Sequence, residues 1–228
     1  MTQPAPSAAG APEAVLFDVD GTLVDSVYQH VIAWWEAFEE AGHEVSGFDI
    51  HRAIGRGSED LVESLLGEAD DAVVEGHSRN WARLRERCHA FHDVPELLRH
   101  CRAAGLKVVL CTSGEGADLD FFVKAIGGDE PVHAIVSAQD VGASKPAPDI
   151  VQKALEAAGV GPERAVMVGD TVYDVAAAKA AGVACIGVMC GGIGEAELRD
   201  AGAVAVYGNP AELLSSYDDS PLAGVVTR

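Results

Sequence analysis

Residues 14–26 read AVLFDVDGTLVDS. The run from Val15 to Val19 is short and apolar apart from Asp18, as expected of a strand in a parallel sheet covered on both faces. Polar residues crowd in where it ends: Asp18, Asp20, Thr22, Asp25 and Ser26, with Gly21 among them. Two carboxylates two residues apart point the same way if the strand continues. They converge on one ion if it turns, and Gly21 permits both a tight turn and the close approach of a ligand.

Working outward, five more apolar runs end at turns and lead into helix-like stretches. They are Lys107 to Thr112, Ala134 to Ala138, Ala165 to Gly169, Ala184 to Met189 and Ala203 to Tyr207. Gly105, Gly159 and Gly182 follow apparent helices, where a left-handed cap is needed. Pro148 and Asp149 suit the first turn of another helix. The alternation predicts an α/β fold, a doubly wound, Rossmann-like parallel sheet. Residues 26–90 break the rhythm and read as helices: Ser26 to Ala41, Ser58 to Leu66, and about Asp70 to His89. That is too long for an ordinary connection. It predicts a helical cap over the carboxyl ends of the strands, where such sheets bind ligands. The expected organisation is a tail over 1–13, a core over 14–25 and 91–228, and a cap over 26–90. Val27, Val31, Trp34, Trp35 and Phe38 are expected to form the cap core.

The chain has 228 residues and carries 16 Lys and Arg against 36 Asp and Glu, a formal charge of −20. Such a surface repels phosphate backbones, which argues against nucleic acid as a partner. A site for an anionic substrate must then gather local positive charge, and a metal ion is one source. The five cysteines show no CxxC spacing and read as reduced thiols of a cytoplasmic protein. The first residues lack the features of a signal peptide, and no apolar run reaches transmembrane length. The chain is expected to work away from membranes, as a monomer or dimer.

Four segments with chemical potential fall at carboxyl ends of predicted strands: Asp18 to Ser26, Thr112-Ser113-Gly114, Ser144-Lys145-Pro146, and Gly169-Asp170-Thr171-Val172-Tyr173-Asp174. A hydroxyl followed by backbone N–H groups, as at Thr112, clamps anions. Several carboxylates repel one another unless a cation sits among them, and a hard divalent ion such as magnesium suits oxygen ligands beside a phosphate. A metal and Lys145 would keep Asp18 ionised. An ionised carboxylate can attack phosphorus and hold the phosphoryl group, while Asp20 protonates the leaving alcohol and later deprotonates water. Asp174 also suits a helix cap, and the two roles are compatible.

DVDGT, Thr112, Lys145 and GDTVYD, in this order, resemble the four motifs of the haloacid dehalogenase superfamily. With a helical insert after the first motif, the chain is similar to its type 1 cap members, which include phosphoglycolate phosphatases and β-phosphoglucomutases. The resemblance runs from about Ala14 to about Pro210. It implies Asp18 as nucleophile and Asp20 as general acid and base. It implies Mg2+ held by Asp18, the main-chain carbonyl of Asp20 and Asp170, with Asp174 in or just behind the metal shell. It implies that Thr112 and Lys145 bind the phosphoryl group of a small phosphorylated metabolite, with Ser113 beside them. In the cap, His30 and Arg56 are the candidates for substrate contact, with Tyr28 and Arg52 also able to face the cleft. A surface pairing of Arg56 with Glu59 or Asp60 is the alternative.

Other chemistries on this fold read less well. A dehalogenase does not need Asp20 as acid and base, and a phosphonoacetaldehyde hydrolase needs a cap lysine, whereas residues 26–90 contain none. A sugar phosphomutase of the β-phosphoglucomutase type remains the alternative to a phosphatase. Phe91-His92-Asp93-Val94-Pro95 departs from the Pro-Gly usual before the helix that returns to the core.

Overall fold

In a computed structural model, residues 11–114 and 116–224 are described; most of the expected tail, residues 1–10, lies outside them. Six parallel strands form one sheet in the order β3-β2-β1-β4-β5-β6. They are β1 (Ala14–Asp18), β2 (Lys107–Cys111), β3 (Ala134–Val136), β4 (Ala165–Gly169), β5 (Ala184–Val188) and β6 (Ala205–Tyr207). All lie within the runs that the sequence marks, except that β1 begins one residue earlier, at Ala14.

The sheet is buried because alternate residues of each strand feed two separate cores. Val15 and Phe17 pack with Val108, Leu110, Val166 and Val168 against α5 (Val94–Ala103), α6 (Ala117–Ala125) and α10 (Pro210–Ser215). Ala14 and Leu16 face the other way, with Val109 and Met167, against α7 (Asp149–Ala158), α8 (Val172–Ala180) and α9 (Glu195–Ala201). This two-period division explains why the strands read as continuous apolar runs rather than as alternating ones. Backbone φ is positive at Gly105, Gly159 and Gly182, as helix termination at those positions requires. Among the described residues no helix is long and apolar enough to cross a membrane, and the five cysteines are free thiols.

Between β1 and α5 lie four helices, α1 (Val27–Glu40), α2 (Gly47–Ala53), α3 (Ser58–Leu66) and α4 (Asp71–Leu84), then a 3-10 turn at Arg85–Arg87. They enclose a third core containing Val27, Trp34, Phe38, Ile50, Leu61 and Val73. Trp35 departs from the expected stripe and is 48% exposed, because one residue advances about 100° around a helix and carries it off the face of Trp34. Helix α2 is absent from the sequence reading. Asp93, in the segment that departs from Pro-Gly, takes φ +63° at the N-cap of α5, the left-handed region that Asp tolerates better than most residues.

Candidate active site

β1 gives way to a turn in which the Val19 carbonyl accepts from the N–H groups of Leu23 and Val24, each at 2.9 Å. Asp18, at its carboxyl end, is buried and accepts from Lys145 Nζ at 2.5 Å. The same ammonium donates to Asp174 Oδ1 at 2.8 Å. Asp174 reaches the site from the first turn of α8, where it forms a capping box with Thr171: the Thr171 hydroxyl accepts from the Asp174 N–H at 3.1 Å, and Asp174 Oδ2 accepts from the Thr171 N–H at 3.0 Å. Thr171, not Asp174, is therefore the cap itself, and Asp174 uses one oxygen to start the helix and the other to hold Lys145.

Asp170 follows β4, and its Oδ1 accepts from the Thr22 hydroxyl at 2.9 Å. Its Oδ2 is buried without a hydrogen-bond partner among the described residues. Two glycines press on that oxygen: a methyl group at Gly21 or at Gly191 would collide with it. Oxygen atoms of Asp18, Asp170 and Asp174 all lie within 4.8 Å of one another. Three carboxylates against the one ammonium of Lys145 leave a formal excess of two negative charges in a buried space. The protonation equilibria register that excess. Burial pushes the Asp18 carboxyl up to about 7 despite the opposing charge of Lys145. Burial, then the charges of Asp18 and Asp174, push Asp170 well above the usual carboxylate range. Burial opposes the charge on Lys145, but Asp174 and Asp18 outweigh it and raise its pKa well above the ordinary value. An orphaned buried oxygen beside an unbalanced all-oxygen donor set is the arrangement that a divalent cation fits.

Asp20 has different surroundings. Its Oδ1 accepts from the Ser26 hydroxyl at 2.7 Å and faces His30 Nε2 at 3.2 Å. Burial raises its pKa, yet the His30 hydrogen bond and charge and the Ser26 hydroxyl prevail, and the net shift is downward. The two aspartates of one motif are thus driven apart, Asp18 up and Asp20 down, and a cation among the buried carboxylates would be needed to hold Asp18 ionised.

Thr112 is buried directly after Cys111, which stands opposite Asp18 in the β1–β2 register. Its Oγ1 accepts from the Gly114 N–H at 2.9 Å, and Ser113 beside it is exposed. Arg56 lies in the turn between α2 and α3. Its guanidinium lies 4.6 Å from the Tyr173 ring centroid, and it lines a cavity of about 480 Å³ with Arg52, Ser46, Ser64 and Tyr173. Arg52 is held by Glu197, Asp60 by the Ser144 hydroxyl, and Tyr28 is exposed and stacked on His51. The Arg52–Glu197 and Asp60–Ser144 pairings, the bond from His51 Nε2 to the Gly191 carbonyl at 2.9 Å and the Arg85–Asp118 ion pair seat the inserted helices on the core.

Thr22, Ser26, His77 and Gly191 are site neighbours that the sequence reading leaves unassigned. His77 Nε2 lies 3.1 Å from His30 Nδ1. A sequence signal existed for it: His-x-x-x-Trp occurs at His30 and Trp34 and again at His77 and Trp81. On two antiparallel helices that spacing lets each imidazole stack on the other helix's indole.

A family model described as haloacid dehalogenase-like hydrolase matches residues 12–182. The phosphoglycolate phosphatase of Pseudomonas putida is 32% identical over 201 residues, 79% of this chain and 70% of that protein. The phosphoglycolate phosphatase of Rhodospirillum rubrum is 30% identical over 218 residues, 89% of each chain. The crystal structure of a hydrolase from Pseudomonas syringae matches with a TM-score of 0.85 at 33% identity, over 90% of this chain and 98% of that one.

Proposed function

The chain belongs to the haloacid dehalogenase-like hydrolases, and from that premise we propose that it is a magnesium-dependent phosphatase of small phosphorylated metabolites, phosphoglycolate foremost, working through an aspartyl-phosphate. The observation that carries this reading is the buried cluster of Asp18, Asp170 and Asp174, two of them paired with Lys145, in which Asp170 Oδ2 has no hydrogen-bond partner among the described residues.

Asp18, the main-chain carbonyl of Asp20, Asp170 and Asp174 would hold Mg2+, which when bound supplies positive charge against the carboxylates and the phosphoryl oxygens. Lys145, Thr112 and Ser113 bind the phosphoryl group. Asp18 attacks phosphorus, the bond to the leaving oxygen breaks, and Asp20 gives that oxygen its proton. A water then attacks the same phosphorus while Asp20 takes its proton, and phosphate leaves Asp18 free. The hydrogen bonds to Asp20 favour its ionised form, the form required for the second step. The inserted helices act as the cap, with Arg56 and His30 on its inner side. The enzyme is cytoplasmic on this reading, monomeric or dimeric, and needs neither membrane nor nucleic acid.

The test is phosphate release from a panel of phosphorylated metabolites and an aryl phosphate. Release is expected with magnesium, to vanish with chelator, and to fall to background in Asp18→Asn. Equal release in excess chelator, or a substantial residual rate in Asp18→Asn, would remove the aspartyl-phosphate mechanism. Interconversion of sugar phosphates without net phosphate release would favour a mutase.

A further inference from the structure

We propose that His77, on α4, is a positioning residue for Asp20: acting through His30, it keeps a ring N–H rather than a lone pair facing the Asp20 carboxylate. The proposal rests on the reading of Asp20 as the acid and base.

The geometry is a chain of three side chains. His30 spans the gap, with Nε2 3.2 Å from Asp20 Oδ1 and Nδ1 3.1 Å from His77 Nε2. Both rings are clamped. His30 stacks on Trp81 with centroids 3.7 Å apart, and His77 stacks on Trp34 at 3.8 Å. His77 is 8% exposed, and burial, then the charge of His30, hold its pKa well below the usual range, so it is neutral.

A neutral imidazole has one N–H and one lone pair. With Asp20 ionised, two proton arrangements join this chain at both ends. In one, His77 donates into His30 Nδ1 and His30 donates from Nε2 to Asp20. In the other, His30 carries both protons and donates in both directions. Each puts an N–H on Asp20 Oδ1. The remaining tautomer of His30, with its proton on Nδ1, would turn a lone pair toward Asp20. A protonated Asp20 would then donate to His30 instead of to the leaving group. An N–H from His77 at Nδ1 disfavours that tautomer. With Ser26 also donating to Oδ1 at 2.7 Å, that oxygen is an acceptor in both half-reactions, and the transferred proton belongs on Oδ2. Asp20 lies on the loop after β1, while His30 and His77 lie on two different inserted helices, so the arrangement is complete only when those helices are packed on the core.

The test compares wild type with His77→Phe, which keeps a ring on Trp34 but has no hydrogen to give, and His77→Gln, whose amide restores a donor. Two measurements are made on the full chain: imidazole nitrogen–proton NMR spectra after histidine labelling, and steady-state kinetics on an aryl phosphate with magnesium. His30 is expected to be protonated at Nε2 in wild type and to shift toward a tautomer mixture in His77→Phe. There kcat should fall about tenfold, a part of the roughly hundredfold or greater contribution of one acid/base group, with KM nearly unchanged and partial recovery in His77→Gln. A wild-type His30 protonated only at Nδ1 overturns the proposal without recourse to any variant. So does a His30 spectrum unchanged in folded His77→Phe. A tautomer shift in an enzyme that releases no phosphate would leave the positioning intact and defeat the acid/base reading instead.

Discussion

Gly191 leaves no room beside Asp170 for more than a hydrogen. It ends the 3-10 turn Met189–Gly191 after β5, and a methyl group there would meet Asp170 Oδ2 and Cγ. Its φ is not in the left-handed region, so the constraint is contact rather than backbone conformation. Gly191→Ala should therefore leave the fold largely intact and displace the Asp170 carboxylate. The expected result is at least a tenfold rise in the magnesium concentration for half-maximal activity, because a misplaced ligand weakens a metal of strict geometry. Unchanged magnesium dependence would show that Asp170 Oδ2 is not a ligand. Asp18, Asp20, Lys145, Asp170 and Asp174 were legible as a group because each lies between the carboxyl end of a strand and the first turn of the next helix, and strand ends of one sheet share an edge. Gly191 and His77 were not legible. A glycine after a strand is ordinary in one dimension, and a histidine on a helix acquires meaning only when a second helix delivers another histidine to it.

At the scale of elements, the strands and α3 were legible from continuous apolarity and from turn residues. Helix α2 was not: it has seven residues, begins at a glycine and carries the exposed Phe48, too short a segment for a helical period to show. That helix and the turn after it matter, because they carry Arg52 and Arg56. Arg52 spends its charge on Glu197, between α2 and α9. Arg56 has only the Tyr173 ring beneath it and a buried Nε without a hydrogen-bond partner among the described residues. Its guanidinium is thus the better placed of the two to meet an anionic group entering beside α8. If the proposed substrate carries a carboxylate, Arg56→Ala should lower kcat/KM for phosphoglycolate at least tenfold more than for a neutral aryl phosphate, since only groups that contact the part of the substrate distinguishing the two can change that ratio. An equal effect on both substrates, or none, would restrict Arg56 to packing on Tyr173.

The whole molecule carries a formal charge of −20, yet its sharpest electrostatic conflict is confined to one buried cluster, and that conflict makes stability depend on pH and metal together. An unfolded aspartate titrates at about 4. In the folded chain burial lifts Asp18 to about 7 and lifts Asp170 well above the ordinary value. The folded state therefore binds these protons more tightly than the unfolded state, and in the metal-free protein the stability that these two groups contribute is lost as pH rises from about 4 through about 7. Asp20, Asp70, Asp140 and Glu197 shift the other way, but their contribution is lost only at acid pH, below the range where Asp18 titrates; His77, buried and held well below its usual value, opposes the Asp18 and Asp170 trend until pH passes the ordinary histidine value of about 6.5. Magnesium should relieve the penalty by binding the ionised carboxylates, and protons should compete with it. Saturating magnesium at a hundred times its Kd adds about 2.7 kcal/mol, roughly 5–11 °C in Tm for a chain of this size. That rise is expected in full near pH 8 and to shrink strongly near pH 5.5. Sodium chloride of equal ionic strength should not reproduce it, because screening acts mainly on exposed charges. Asp170→Asn removes one of the conflicting charges at its source. Without metal near pH 8 it should melt higher than wild type, and it should gain little from magnesium, the exchange of function for stability expected where like charges are held together for a task. A magnesium increment equal at both pH values, or preserved in Asp170→Asn, would place the stabilising ion on the acidic surface rather than among Asp18, Asp170 and Asp174.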